Sequence, residues 1–156
     1  MNKLTKNTIY NIAIALAIAM FFIIDRTLKQ AALILSSKDI SILKDIFTFH
    51  FAPNYYIAFS IPLSGQLLNI LIIILIIALL SYLTYLITKN KVSRFEIICF
   101  AIMITGAISN IIDRLSYGYV IDYLSLRYFT VFNLADVMIS SGAIILILKN
   151  LKKTNK

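Results

Sequence analysis

LLNILIIILIIALLSYLTYLIT, residues 67 to 88, decides the fold class. It has one amide, Asn69, and no charge. A membrane-crossing helix needs about 20 such residues. Tyr82 and Tyr85 fall near its end, where interfacial aromatics collect. Three further apolar runs flank it. Residues 8 to 24, TIYNIAIALAIAMFFII, follow Lys3 and Lys6. A basic start and an apolar middle also describe a signal peptide. The run is long for one, and Asp25-Arg26 stands where a small-x-small cleavage site would, so a retained span is expected. Residues 95 to 112, FEIICFAIMITGAISNII, give a third span, in which Gly106 and Ala107 permit close helix contact. Residues 134 to 148, LADVMISSGAIILIL, give a fourth, with Ser140, Ser141 and Gly142 as a small, polar packing face. The chain, 1–156, is read as a single integral-membrane domain with spans at about 8–24, 67–88, 95–112 and 134–148.

Composition agrees: 60% of residues are hydrophobic, above the range of soluble domains. The net charge of +8 would suit a nucleic-acid partner, but its distribution points elsewhere. Four spans put both termini on one side. The termini and the 89–94 loop carry nine cations against one acid, Glu96. The other side carries six cations and six aspartates. The excess positive charge marks the cytoplasmic side, so no nucleic-acid partner is expected and all six aspartates face outward. Cys99 has no intrachain partner and reads as a small hydrophobe. With one histidine, His50, and one cysteine, no usual zinc ligand set exists. No Gly-rich phosphate loop is present, and no cofactor is expected.

Residues 30 to 66 are less apolar and hold both prolines. Phe47, Phe49 and Phe51 alternate with Thr48 and His50, a strand signal. Pro53-Asn54 reads as a turn, and 55–59 as a second short strand. ISILKDIF, residues 40 to 47, is expected to form a short interfacial helix. A small sheet on the membrane surface follows, either an ordinary packed hairpin or one whose apolar side meets lipid.

The polar residues concentrate in GAISNIIDRLSYGYVIDYLSLRYFTVFNLAD, residues 106 to 136. Ionisable groups near lipid are costly and usually mark function. Asn110, Asp113 and Arg114 share one helix face by their i, i+3, i+4 spacing. Asn133 is a candidate N-cap for the fourth span, and Asp136 falls in its first turn, where the helix dipole favours negative charge. Asp122 lies between, in a second alternating segment, VIDYL, that pairs with RYFTVF as a hairpin. Asp25 and Lys29 sit four apart, in the favourable order for an ion pair. That pair either is local at the membrane surface or helps shape the site. Two aspartates held close cannot both ionise easily. One could deprotonate water while the other polarises a carbonyl or protonates a leaving amine.

Five short motifs in order on four spans make the chain resemble signal peptidase II, the lipoprotein signal peptidase of bacteria, an aspartyl membrane protease family. The motifs fall on Asp25 and Lys29; on Asn54, Ala58 and Phe59; on Gly106, Asn110, Asp113 and Arg114; on Val120, Asp122 and Tyr123; and on Phe132, Asn133, Ala135 and Asp136. The resemblance covers essentially the whole chain. It implies an all-α membrane fold of four transmembrane helices with a small extracytoplasmic β-sheet cradle. It implies an endopeptidase that cuts diacylglyceryl-modified prolipoproteins just before the modified cysteine, with Asp122 and Asp136 catalytic. Asn54, Asn110, Asp113, Arg114, Asn133, Asp25 and Lys29 become supporting or substrate-binding residues. The partners implied are the prolipoprotein and membrane lipids, with the enzyme a monomer in the bacterial cytoplasmic membrane. Tyr56, Thr105 and Ser109 depart from the family pattern, which favours glycine there. The main rival is a non-enzymatic four-span transporter or assembly subunit, but transporters place charge near mid-membrane, and here it gathers at one face.

Overall fold

The structure is a computed structural model and describes residues 3–44, 46–56 and 65–154. Its elements in chain order are α1 (Lys3–Ile34), β1 (Ile40–Leu43), β2 (Phe47–Asn54), α2 (Gly65–Thr88), α3 (Arg94–Tyr117), β3 (Val120–Leu126), β4 (Val131–Phe132) and α4 (Leu134–Thr154). All four helices are long and apolar enough to cross a membrane. The expected spans recur, but α1, α3 and α4 run beyond the limits expected for them. Helix α1 continues ten residues past position 24 because Asp25 and Lys29 neutralise each other inside the bundle and do not end it.

Helix α3 has both end signals. Ser93 is its N-cap and forms a reciprocal capping box with Glu96, while Gly118 closes it in the left-handed conformation at φ 82°. Helices α3 and α4 pack closely through two glycines. A Cβ on Gly106 would meet the Ala135 carbonyl oxygen at 2.6 Å, and one on Gly142 would strike the Met103 side chain. Ser140 and Ser141, expected to face a neighbouring helix, instead donate to the carbonyls of Asp136 and Met138 in their own helix. The small face of α4 therefore works through Gly142.

The four strands form one antiparallel sheet in the order β1-β2-β3-β4. The second expected hairpin is present as β3 and β4. Three local expectations are corrected. The expected interfacial helix at 40–47 begins instead as strand β1: Ile40, Ser41 and Ile42 alternate, and Lys44 at φ 42° turns the chain back toward β2. Pro53-Asn54 is the end of β2, not a turn, with Pro53 opposite Ile121. Strand β1 reaches only to Phe49, so Pro53 lies where β2 has an edge, which tolerates proline's missing N–H. Tyr55 and Tyr56 form no strand, since Arg114 holds their carbonyls; Ala58, Phe59 and the rest of that expected strand lie outside the described residues.

Phe49, Ile121 and Tyr123 pack with Ala32 of α1 as the buried core beneath the sheet, with Phe49 and Tyr123 ring centroids 5.5 Å apart. The β2–β3 ladder shifts register between Phe49 and Ala52, beside the pairing of Ala52 with Asp122. Such bulges re-aim side chains next to active sites. The sheet is thus tied to the end of α1 that carries Asp25 and Lys29, and it carries Asp122 to the start of α4.

Candidate active site

Asp122 and Asp136 meet at one asparagine. Asn133 caps α4: its Oδ1 accepts from the Asp136 backbone N–H at 2.9 Å, and its own N–H donates to Asp136 Oδ2 at 3.3 Å. This is a capping box with aspartate in the third helical position. A pure donor fixes the Oδ1, so the Asn133 amide nitrogen must face the other way. It donates to Asp122 Oδ1 at 2.6 Å.

The other two amides are oriented by the same logic. Asn54 Oδ1 accepts from the Tyr56 backbone N–H at 3.1 Å, leaving its Nδ2 to donate to Asp122 Oδ2 at 2.9 Å. Asn110 Oδ1 accepts from the Lys29 ammonium at 2.9 Å, and its Nδ2 donates to Asp136 Oδ1 at 2.8 Å. An ammonium has no acceptor, so Lys29 sets which end of Asn110 faces the carboxylate. Each of the two aspartates therefore receives two N–H donors.

Beneath them lies a buried ionic network. Lys29, fully buried, pairs with Asp25 at 3.1 Å and Asp113 at 2.7 Å, both also fully buried. Asp25 accepts from Tyr123 Oη at 2.9 Å and from the Ala135 N–H at 3.2 Å, and Tyr123 Oη accepts from the Leu134 N–H at 3.0 Å. The first free amides of α4 are thus satisfied from α1 and β3. Asp113 also pairs with Arg26 and accepts from the Ile121 N–H at 3.3 Å. Arg114 donates to the carbonyls of Tyr55 at 3.4 Å and Tyr56 at 2.6 Å, fixing the chain just past Asn54. No described buried side-chain N or O atom lacks a partner.

The nine residues expected at the site are brought together, in two layers. Asn54, Asn110 and Asn133 touch the two aspartates, while Asp25, Lys29 and Asp113 lie behind. Asn110, Asp113 and Arg114, expected to share one helix face, reach three different partners. Sequence reasoning gave no site role to three contributors. Arg26 joins the Asp113 pair. Tyr123 links Asp25 to α4. Ser109, read only as a departure from glycine, is buried and donates to Asp25 at 2.5 Å while accepting from Lys29 at 3.3 Å. Its spacing of four from Asp113 was the available signal. Tyr56, the second departure, contributes backbone groups alone to these bonds, so its side-chain identity is free of that role.

Asp122 is only 2% exposed. Burial first and the charge of Asp136 second push its carboxyl up to about 7, against the opposing Asn54 and Asn133 hydrogen bonds. Burial also raises the Tyr123 phenol, so it stays a neutral donor to Asp25. Among the described residues no cluster of three metal-ligating acids, histidines or cysteines occurs.

Known proteins share this arrangement's frame. The family model for signal peptidase (SPase) II matches residues 17–152. The chain belongs to the signal peptidase II family. A lipoprotein signal peptidase of Clostridium tetani is 35% identical over 143 residues, which cover 87% of this chain and 90% of that one. Another, from Clostridium acetobutylicum, is 33% identical over 90% of this chain and 97% of its own. A solved bacterial membrane enzyme superposes with a TM-score of 0.76 at 25% identity, over 91% of this chain and 89% of that one. Family membership and the four spans make the chain a multi-pass membrane protease of the signal peptidase II class.

Proposed function

We propose that the chain, 1–156, is a single-domain aspartic endopeptidase that removes signal peptides from prolipoproteins, with Asp122 and Asp136 as its catalytic pair. The observation that carries this reading is Asn133, which bonds both carboxylates at once. In this reading the two acids share one proton. Local charge supports it: Arg26, Lys29 and Arg114 balance Asp25, Asp113 and one further carboxylate. A second ionised acid would leave the buried cluster negative. Asp122 holds the proton near neutrality, and Asp136, with its oxygens on Asn110 and its own capping box, is the ionised base.

Asp136 takes a proton from water as the oxygen attacks the scissile carbonyl. Asp122 gives its proton to that carbonyl oxygen, the proton Asp136 took from water passes to the leaving amine, and the collapsing diol returns a proton to Asp122. The fixed amides keep both carboxylates aimed without rearrangement during the reaction, which is how electrostatic preorganisation accelerates it. Asp25 lies 17 residues beyond Thr8, about 26 Å along α1. Asp113 lies 19 beyond Arg94, about 29 Å along α3. The site thus stands at one edge of a roughly 30 Å hydrocarbon layer. The charge asymmetry supports the extracytoplasmic side for that edge and the cytoplasm for both termini. A bond at the end of a membrane-spanning signal sequence presents itself there. The exposed apolar residues of β1, Ile40, Ile42 and Leu43, with Tyr128 and Phe129 in the turn between β3 and β4, suit the diacylglyceryl group of the substrate.

The test is cleavage of one prolipoprotein by the purified chain, with and without the diacylglyceryl group on its cysteine. The reading requires a new N-terminus at the modified cysteine and no cut in the unmodified protein. Equal cleavage of both forms would refute the substrate assignment. Asn54→Ala removes one of the two N–H donors to Asp122. It should lower kcat about tenfold, the worth of one hydrogen bond to a charged or reacting group, without abolishing turnover. Complete loss would place Asn54 among the reacting groups.

A further inference from the structure

The end of the bundle opposite the aspartates carries a second site. Helices α1 and α3 run parallel and are bolted together at the aspartate end by the bonds from Arg26 and Lys29 to Ser109, Asn110 and Asp113. Toward their N-termini they enclose a cleft of about 370 Å³. Its walls are apolar, with Ile14 and Ile18 on α1 and Ile97 and Ala101 on α3. Its rim holds Tyr10, Asn11 and Arg94. Asn11 is an amide in an otherwise apolar stretch.

We infer that this cleft holds one anionic phospholipid, with an acyl chain between the isoleucines and the phosphate at Arg94, Asn11 and Tyr10. The shape asks for an apolar tail with a polar head. The charge decides among occupants. Lys89, Lys91 and Arg94 form the adjoining loop and helix start, and Glu96, the one acid at this end, is paired with Lys149 at 3.3 Å. A signal peptide running down the groove would bring its basic N-terminal region against these cations. A phosphate is attracted by them, and basic pockets between membrane helices take acidic head groups. The lipid fills the gap between α1 and α3 toward their N-termini, and so steadies α1, which carries Asp25 and Lys29. This inference does not depend on the proteolytic reading.

The test uses the full chain in bilayer nanodiscs of phosphatidylcholine with or without phosphatidylglycerol, followed by detergent extraction and mass spectrometry of retained lipid. The wild-type chain should keep one phosphatidylglycerol and no phosphatidylcholine. Arg94→Gln should lower that retention about fivefold, the effect of one cation at an acidic head group. Ala101→Phe, which fills the cleft, should abolish it. Lys91→Gln, at a neighbouring cleft lined by Leu86 and Lys149, acts only through the field at the mouth and should lower it by less than about twofold. Equal retention of both lipids, or equal losses from Arg94→Gln and Lys91→Gln, would overturn the site. A photoreactive residue in place of Ala15 reads the occupant directly. Crosslinks to lipid support the inference, while crosslinks to a prolipoprotein or to a second copy of the chain refute it.

Discussion

Asp122→Asn and Asp136→Asn each lower prolipoprotein cleavage by about 10²- to 10⁴-fold, the usual worth of a positioned acid or base, while the chain stays folded and inserted. Asparagine keeps the shape of the side chain but cannot take up or release the proton. At position 136 the amide oxygen can still accept from Asn110 or from the Asn133 N–H, so the capping of α4 survives in part. At position 122 the variant loses an acceptor for Asn54 or Asn133. It also removes a carboxyl whose burial is unfavourable to its charged form, so its stability should hold. Cleavage and circular dichroism on the same purified samples separate the two effects. Normal turnover by either variant would end the assignment.

Lys29→Met should act in the opposite way, through stability first. Methionine matches the lysine stem in length but leaves Asp25 and Asp113 buried without their shared cation. Removing one partner of a buried pair costs about 3–5 kcal/mol. Arg26 still reaches Asp113, and Tyr123 and Ser109 still donate to Asp25, which keeps the loss near the lower end. Activity should fall as well, because Asn110 then loses the donor that orients its amide toward Asp136. Denaturant unfolding in detergent measures the first effect. A stability equal to wild type would show that the network is not the fastening described. In Ser109→Gly, by contrast, Lys29 keeps three partners, so a change well below that of Lys29→Met is expected.

The spans were legible because hydrocarbon imposes a length and a composition that any window of sequence reveals. Their ends were not. Asp25 and Lys29 look like a boundary by charge, yet they pair with each other and with α3 and so continue the helix. The capping role of Asn133 followed from local chemistry alone, since an N-cap and its partner are three residues apart. The sheet was only half legible. Each hairpin is a local pattern, but the pairing of β2 with β3 joins residues about 70 positions apart, and no period within a window encodes it. That pairing is what sets Asn54 against Asp122. Ser109 stayed hidden because a hydroxyl in an apolar helix commonly bonds its own backbone, as Ser81 and Ser140 do here.

One proton shared between Asp122 and Asp136 is the central claim, and the pH dependence of kcat/KM for a diacylglyceryl-modified prolipoprotein tests it most directly. Asp122 has its carboxyl raised to about 7 from the unfolded value of 3.8. The folded chain therefore keeps a proton in that window that the unfolded chain releases, and the stability due to this group falls as pH rises through it. Catalysis follows the same proton. The rate should be highest on the acid side of neutrality and fall as pH rises through about 7, when Asp122 ionises beside Asp136. A second decline at lower pH marks protonation of both acids. A rate that climbs through pH 7, or stays flat across it, would contradict a shared proton at this site.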